Sequence, residues 1–412
     1  MTRRSRVLPA VLAIGALTIA ACGGGDDSAE GGGTTLTFLS WDNEEIMTPV
    51  FEAFEEAHPD ITIEASYAPP VAEYIQALQT RVLSGTAPDV FIIAAENKTN
   101  LIEGGHVLDL AGEDFVANTP EFNQETYGAD GAVYGLSVST WGSGITYNKD
   151  LLAQIGMDTP PQDWEEFLQM CADLQDAGIT PFLESLQNMP TILTAFLGSY
   201  SASMDGRMDE EIFSGAATFE DHWTASLEQY NRMYADGLVS SDTVGLSPDQ
   251  VRDEFINGRV AMFPAGPWDL PAIREGAPDM EVEMVPVPAV DGGQPFIAGA
   301  AGVGYAINSD SDNLDAAKTF LEFLGSPDGM RPWQEGLGAI SVTTDYEPVL
   351  DEALTPILED VRAGNVYLPQ ISWQRAEDVL NVEAVAQLQL MAQGRLTPRE
   401  VAQALDRKLA AS

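Results

Sequence analysis

From Thr34 to Ala94 the sequence alternates two periodicities, and this restricts the fold more than any other feature. Leu36 to Leu39, Ile61 to Ala65 and Val90 to Ala94 read as short apolar strands. Between them Ile46, Val50, Phe51 and Phe54 fall on one helical face before His58-Pro59 stops the helix. Val71, Ile75, Leu78 and Val82 mark a second helix that Gly85 ends. A βαβα order predicts a mainly parallel sheet with helices on both faces, because parallel neighbours need a crossover long enough to hold a helix. In such sheets ligands lie beyond the carboxyl ends of the strands. Trp41, Asp42 and Asn43 after the first strand, and Ala95, Glu96 and Asn97 after the third, are therefore expected to face one crevice.

A chain of 412 residues exceeds what one compact core holds, so two lobes are expected. Its 64 acidic against 19 basic residues set a net charge of −45. Nucleic acids and anionic lipid surfaces, which are bound through basic patches, are not expected as partners on this balance. Arg3, Arg4 and Arg6 precede an apolar run, Val7 to Ile19, shorter than the ~20 residues of a membrane span, so residues 1–21 read as a secretory signal. The run ends Leu17-Thr18-Ile19-Ala20-Ala21-Cys22, which resembles a bacterial lipobox. That resemblance implies lipidation of Cys22, with the Gly-rich residues 22–33 as a flexible tether. The only other cysteine, Cys171, sits in the helical pattern Trp164 to Leu174 and is expected to be a small buried hydrophobe without a disulfide. His58, His106 and His222 lack metal-ligand spacing, and no cofactor is expected.

The stretch Asp253 to Pro271 places one aromatic ring conspicuously. Glu254 to Ile256 close a helix, Gly258 can take a left-handed cap, and Val260 to Phe263 form a short strand. Pro264 and Pro267 lack the N–H that would continue that strand, so Pro264 to Pro267 reads as a turn. Trp268 follows, with Asp269 as a candidate N-cap and Pro271 in the first turn of the next helix. A lone Trp there also suits a core residue or a hydrophobic staple. A loop apex between strand and helix favours a ligand.

This stretch resembles the G-x-x-A-M…G-x-W segment of the extracellular solute-binding proteins of bacterial ABC sugar importers, family 1, the maltose-binding-protein-like group. Further matches are the Gly-x-x-Pro-Asp turn in LSGTAPDVFII, Tyr134-Gly135-Leu136, Ile145 to Leu152 with its Tyr-Asn-Lys-Asp, Gly156, Pro160-Pro161 and Trp164 to Phe167. Leu368 to Trp373 and Gly394 to Val401 resemble the family's late aromatic loop and closing segment. The resemblance implies an α/β, two-lobe periplasmic-binding-protein-like fold, with mainly parallel sheets flanked by helices and lobes joined by hinge strands. Lobe 1 would span 34–138 and 300–328, and lobe 2 139–299 and 329–412. Tyr147 to Asp150 would follow the first hinge crossing, Phe296 to Ile307 would be the second, and Trp164 would be structural.

It also implies a site. Trp41, Trp141, Trp268 and Trp373 offer flat surfaces for the C–H faces of a sugar, and Asp42, Asn43, Glu96, Asn97 and Asp269 offer hydroxyl partners. The implied partners are a small-molecule carbohydrate, ABC transporter permease subunits, and the extracellular face of the cell membrane through the lipid anchor alone. Ile93 stands where the maltose-binding protein carries an aromatic, and Glu96-Asn97 where it has an acidic–basic pair, so the subsites on this lobe differ. A polyamine or a glycerol phosphate is an alternative ligand, although a phosphate calls for basic residues and the candidate loops hold only Lys98 and Lys149. A secreted glycosidase is a further alternative; paired acids alone do not support it in so acidic a chain, and no nucleophile elbow, metal motif or phosphate loop accompanies them. Towards the C-terminus, helices are expected over Val349 to Gly364, Trp373 to Gly394 and Thr397 to Leu409, and Asp312 is expected to cap Leu314 to Leu324.

Overall fold

The computed structural model describes residues 33–412, apart from Asn43, Ala95, Glu96, Asp291 and Gly338. The expected signal segment, Cys22, and the candidate site residues Asn43 and Glu96 lie outside the described residues.

The opening alternation is realised as β1 (Thr34–Ser40), α1 (Glu44–Ala57), β2 (Ile61–Tyr67), α2 (Val71–Ser84) and β3 (Val90–Ile93). α1 buries Met47, Val50, Phe51 and Phe54, the face its spacing predicts. α2 stops at Gly85 with φ 68°, a left-handed conformation that costs a residue without Cβ nothing. The chain continues through β4 (Ser139–Asn148), α3 (Trp164–Asp176), β5 (Thr180–Phe182), α4 (Thr191–Ala202), α5 (Phe219–Ala235), α6 (Pro248–Ile256), β6 (Val260–Ala265), α7 (Leu270–Gly276), β7 (Val282–Val285) and β8 (Ile297–Ala301). It closes with β9 (Gly304–Ile307), α8 (Leu314–Gly325), α9 (Pro327–Leu337), β10 (Val366–Tyr367), α10 (Glu377–Ala392) and α11 (Pro398–Ala411).

Two main sheets result, one per lobe. The first has four strands in the order β9-β3-β1-β2, and the second has β10-β8-β4-β6-β5 with β7 and Ile340–Ser341 also on β4. Pairs of β1 with β2 and β3, of β5 with β6, and of β8 with β10 are parallel. In these two sheets the antiparallel pairs are those made by β4 and β9, the strands through which the chain crosses between lobes. The second crossing, expected as one strand, is two. β8 ends in one sheet and β9 begins in the other, with only Gly302 and Val303 between them. The first crossing runs beside it: Leu136 bridges Tyr305, and the Gly302 N–H donates to the Ser139 carbonyl at 2.7 Å.

The first lobe has one apolar core and the second lobe has two. Met330 and Trp333 of α9 lie in the first lobe's core, past the boundary expected at residue 328. Trp333 Nε1 donates to the Tyr305 hydroxyl at 2.7 Å, which fastens α9 to β9. Trp164 is structural as expected, buried and stacked on Phe167 at 4.9 Å, and Cys171 is buried and free.

Local expectations near the C-terminus need correction. The span Val349 to Gly364 is not one helix: Val349 precedes a 3-10 turn, Glu352–Ile357, which contains Pro356, and a short helix follows, Leu358–Ala363. α10 begins at Glu377, and Trp373 instead ends a short turn of helix, Pro369–Ser372. Asn313, not Asp312, precedes α8, and its N–H donates to the Ser311 hydroxyl at 2.9 Å. α11 starts as expected, with Thr397 and Glu400 forming a reciprocal capping box. No helix among the described residues is long and apolar enough to cross a membrane.

Candidate functional site

The site is best built from Trp268. Gly258 caps α6 with φ 67°, and β6 then runs through Pro264 to Ala265, further than its prolines suggest. The reason is that β5 ends opposite Met262, so Pro264 pairs with Ile145 of β4 on one side only. A 3-10 turn, Pro267–Asp269, follows. The Asp269 carboxylate closes it by accepting the Gly266 N–H at 3.1 Å, and Arg252 lies 3.5 Å away. Burial nevertheless holds this carboxyl above the usual range. Asp269 therefore faces back into the turn, not forward as a cap of α7. The Trp268 indole folds over Gly266 so closely that a Cβ there would lie 2.3 Å from ring carbons, so a side chain at this position would displace the ring. The ring itself is 55% exposed.

Trp141 reaches the same place from β4. Its ring meets Trp268 edge to face, with centroids 6.1 Å apart and planes at 63°. β8 runs tightly against this segment: Trp141 pairs with Ala300, and a Cβ on Gly299 would fall 2.1 Å from the Trp141 carbonyl oxygen.

Beside Trp268 opens a cavity of about 130 Å³, walled also by Ser143, Glu184, Asn188, Thr191 and Phe263. Glu184 is buried just past the carboxyl end of β5, where it accepts the Thr191 N–H at 2.6 Å and the Tyr230 hydroxyl at 3.1 Å. Burial pushes its carboxyl up to about 7 despite these bonds. Sequence reasoning missed this polar wall. The signal was available, since Glu184 follows a strand end as Asp42 does, but Pro181 obscures the short strand before it.

The other candidates divide. Trp41 is half-buried after β1, edge-on to Tyr74 at 5.5 Å. Asp42 beside it is raised above the usual carboxylate range by burial, with Ser40 Oγ 3.3 Å away opposing the rise. These two stand at the strand end on the first lobe, as expected. Asn97 is buried and used by the backbone: its Oδ1 accepts the Ala94 N–H at 2.8 Å and its Nδ2 donates to the Ile92 carbonyl at 3.4 Å. It shapes the end of β3 instead of presenting an amide to a ligand. Trp373 is not an open platform either. It is 5% exposed and lies in the second lobe's core against Phe219 and Trp223, each 6.1 Å away. Of the two lysines, Lys149 lies 3.8 Å from Glu283, while Lys98 donates to the Thr126 carbonyl at 3.1 Å. Lys98 also lines a second cavity of about 240 Å³, which Gly299, Leu368 and Ser372 close from the other lobe.

Chemically, the Trp141–Trp268 corner offers two indole surfaces beside a pocket of hydroxyls, an amide and two carboxyls, and its lining contains no lysine or arginine. Such a wall suits a neutral polyhydroxy solute, with apolar faces for the rings and polar edges for the pocket.

The melibiose/raffinose/stachyose-binding protein MelE of Bacillus subtilis is 23% identical over 419 residues, which cover 95% of this chain and 93% of that one. The multiple sugar-binding protein of Streptococcus mutans is 23% identical over 298 residues, 70% of each chain. Among solved structures, a family 1 extracellular solute-binding protein from Bifidobacterium longum subsp. infantis superposes with a TM-score of 0.84 at 32% identity, covering 92% of this chain and 100% of that one. Residues 40–331 match the bacterial extracellular solute-binding protein family, and the chain belongs to it.

Proposed function

We propose that this chain captures a carbohydrate, an oligosaccharide in particular, between its two lobes and hands it to the permease of an ABC transporter. The observation that carries the reading is the pair of indoles, Trp141 and Trp268, set at a corner beside the polar pocket of Ser143, Glu184, Asn188 and Thr191. The sugar specificities in the names of the two sugar-binding relatives support it. In this reading Trp41 and Asp42 meet the solute from the first lobe, and solute that touches both lobes favours the closed arrangement by its higher affinity for it. In this reading the lobes divide as 34–138 with 304–337, and 139–301 with 339–412, Gly302 and Val303 linking them. Cys22 carries the lipid that holds the protein at the outer face of the cell membrane. In this reading the solute leaves as it entered, and no bond is broken.

The test is a titration of intrinsic Trp fluorescence with mono-, di-, tri- and tetrasaccharides. Saturable binding of an intact sugar supports the reading. Release of shorter sugars would make the protein a glycosidase. Of the alternative ligands, a glycerol phosphate is disfavoured, because no lysine or arginine is among the residues that line the pocket, and a polyamine is the one left to test. Silence with sugars and saturation with spermidine would select it.

A further inference from the structure

The cavity that Lys98 lines lies on the same sheet face as the indole corner. Side chains two residues apart on a strand point to one face, about 7 Å from each other, and directly paired residues of neighbouring strands share a face at about 5 Å. Ser143, which walls the small pocket, stands two residues from Trp141 on β4, and Trp141 pairs with Ala300 of β8, which lines the Lys98 cavity. The two cavities are therefore neighbours along one row of side chains, with Trp141 between them. A solute of several sugar rings seated on Trp141 reaches both.

Most hydroxyls of the Lys98 cavity are spent within the protein. The Thr126 hydroxyl donates to the Phe122 carbonyl at 2.8 Å, and the Tyr367 hydroxyl donates to Asp209 at 2.8 Å. Lys98 differs. Its half-buried ammonium has three donors, of which one reaches the Thr126 carbonyl, and burial holds it below the ordinary lysine range. Lys149, Lys318 and Lys408 lie 3.8, 2.6 and 3.7 Å from a carboxylate. Lys98, the remaining lysine, has no such partner among the described residues, in a chain with 64 acids and 19 bases. Glu125 lines the cavity too, but it is exposed and makes no ion pair with Lys98. A half-buried cation without a counter-ion is unfavourable, and an anionic occupant removes the penalty. One ammonium balances one carboxylate, whereas a phosphate dianion would leave a negative charge beside Glu125.

We propose that the solute is an acid-bearing oligosaccharide, with one ring at the Trp141–Trp268 corner and the carboxylate of a uronic acid unit paired with Lys98 in the neighbouring cavity. The choice of a sugar rests on the carbohydrate reading above. Lys98 then sets the preference for acidic over neutral chains.

The experiment is calorimetric titration of the protein with maltotriose and xylotriose, and with trigalacturonate and xylotriose carrying a glucuronic acid branch. An acid-bearing sugar should bind about tenfold or more tightly than the neutral ones. Lys98→Met keeps the apolar stem and removes the charge; it should weaken the acidic sugar by about tenfold and leave neutral sugars unchanged, while Lys98→Arg keeps the preference. Lys98 also holds the Thr126 carbonyl, so the melting temperature of each variant is measured alongside. A loss shared equally by acidic and neutral sugars would make Lys98 a structural group and overturn the proposal. Neutral sugars that bind as tightly as acidic ones would overturn it as well, and so would displacement of the acidic sugar by inorganic phosphate. If neutral sugars alone saturate, the uronic acid assignment falls and the carbohydrate reading stands. If no sugar of either kind saturates, both fall.

Discussion

Trp141 and Trp268 meet edge to face at 6.1 Å although one lies on a crossing strand and the other on a turn after β6. Two indoles so placed form a corner, and a sugar ring seated in it contacts one face on each side. Trp268→Ala removes an exposed ring, so stability should change by only about 0.5 kcal/mol, while solute affinity should fall by about tenfold or more. Calorimetric titration checks this. Unchanged affinity would remove the corner from the site.

Trp373→Ala should behave in the opposite way. Its ring is packed among Phe219 and Trp223, and its loss should cost about 3–5 kcal/mol of stability. The fraction that remains folded should bind solute as the parent does. A full loss of binding in a variant with parental melting temperature would restore Trp373 as a platform.

Glu184 makes stability depend on pH. Its carboxyl sits at about 7 in the folded chain against an ordinary 4.5, so the folded state holds a proton that the unfolded state has released. Stability therefore falls as pH rises from 4.5 to about 7 and flattens above, by up to roughly 3 kcal/mol from this group. Asp209, lifted by burial to about 6, adds a slope of the same sign. Glu184→Gln should remove the Glu184 share. Melting curves of parent and variant that run parallel from pH 4.5 to 8 would contradict the assignment.

Asp269 holds the Trp268 turn through the Gly266 N–H and Arg252. Asp269→Ala should cost about 1 kcal/mol of stability and leave Trp268 less fixed, with a several-fold loss of solute affinity. Acrylamide quenching and titration together test this. A lower melting temperature with unaltered affinity would mean that the turn keeps its shape without the carboxylate.

What was legible in the sequence was local. Gly85 and Gly258 ended their helices where the periodicity stopped, and Trp268 was marked by prolines and glycine within a few residues of it. What was hidden depends on partners remote in sequence. Trp373 looks like a loop aromatic until α5 brings Phe219 and Trp223 against it. Asn97 looks like a ligand amide until its side chain is seen to bond the Ala94 N–H and the Ile92 carbonyl. Pro264 looked like a strand breaker because the early end of β5 cannot be read from the proline itself. Glu184 was overlooked because its strand is three residues long and contains Pro181.

The strand order of the first lobe also governs how the protein can be made. β1, β2 and β3 are complete by Ile93, yet β9, which covers the open side of β3, begins at Gly304. A chain emerging from its N-terminus carries this exposed edge through the appearance of about two hundred further residues. Those residues include nearly the whole sheet of the other lobe. Unpaired edges invite wrong partners, and contacts of such long sequence separation form slowly. Maturation of the first lobe is therefore timed by the arrival of a segment encoded far downstream, and a truncation anywhere before Ile307 leaves its sheet without an outer strand.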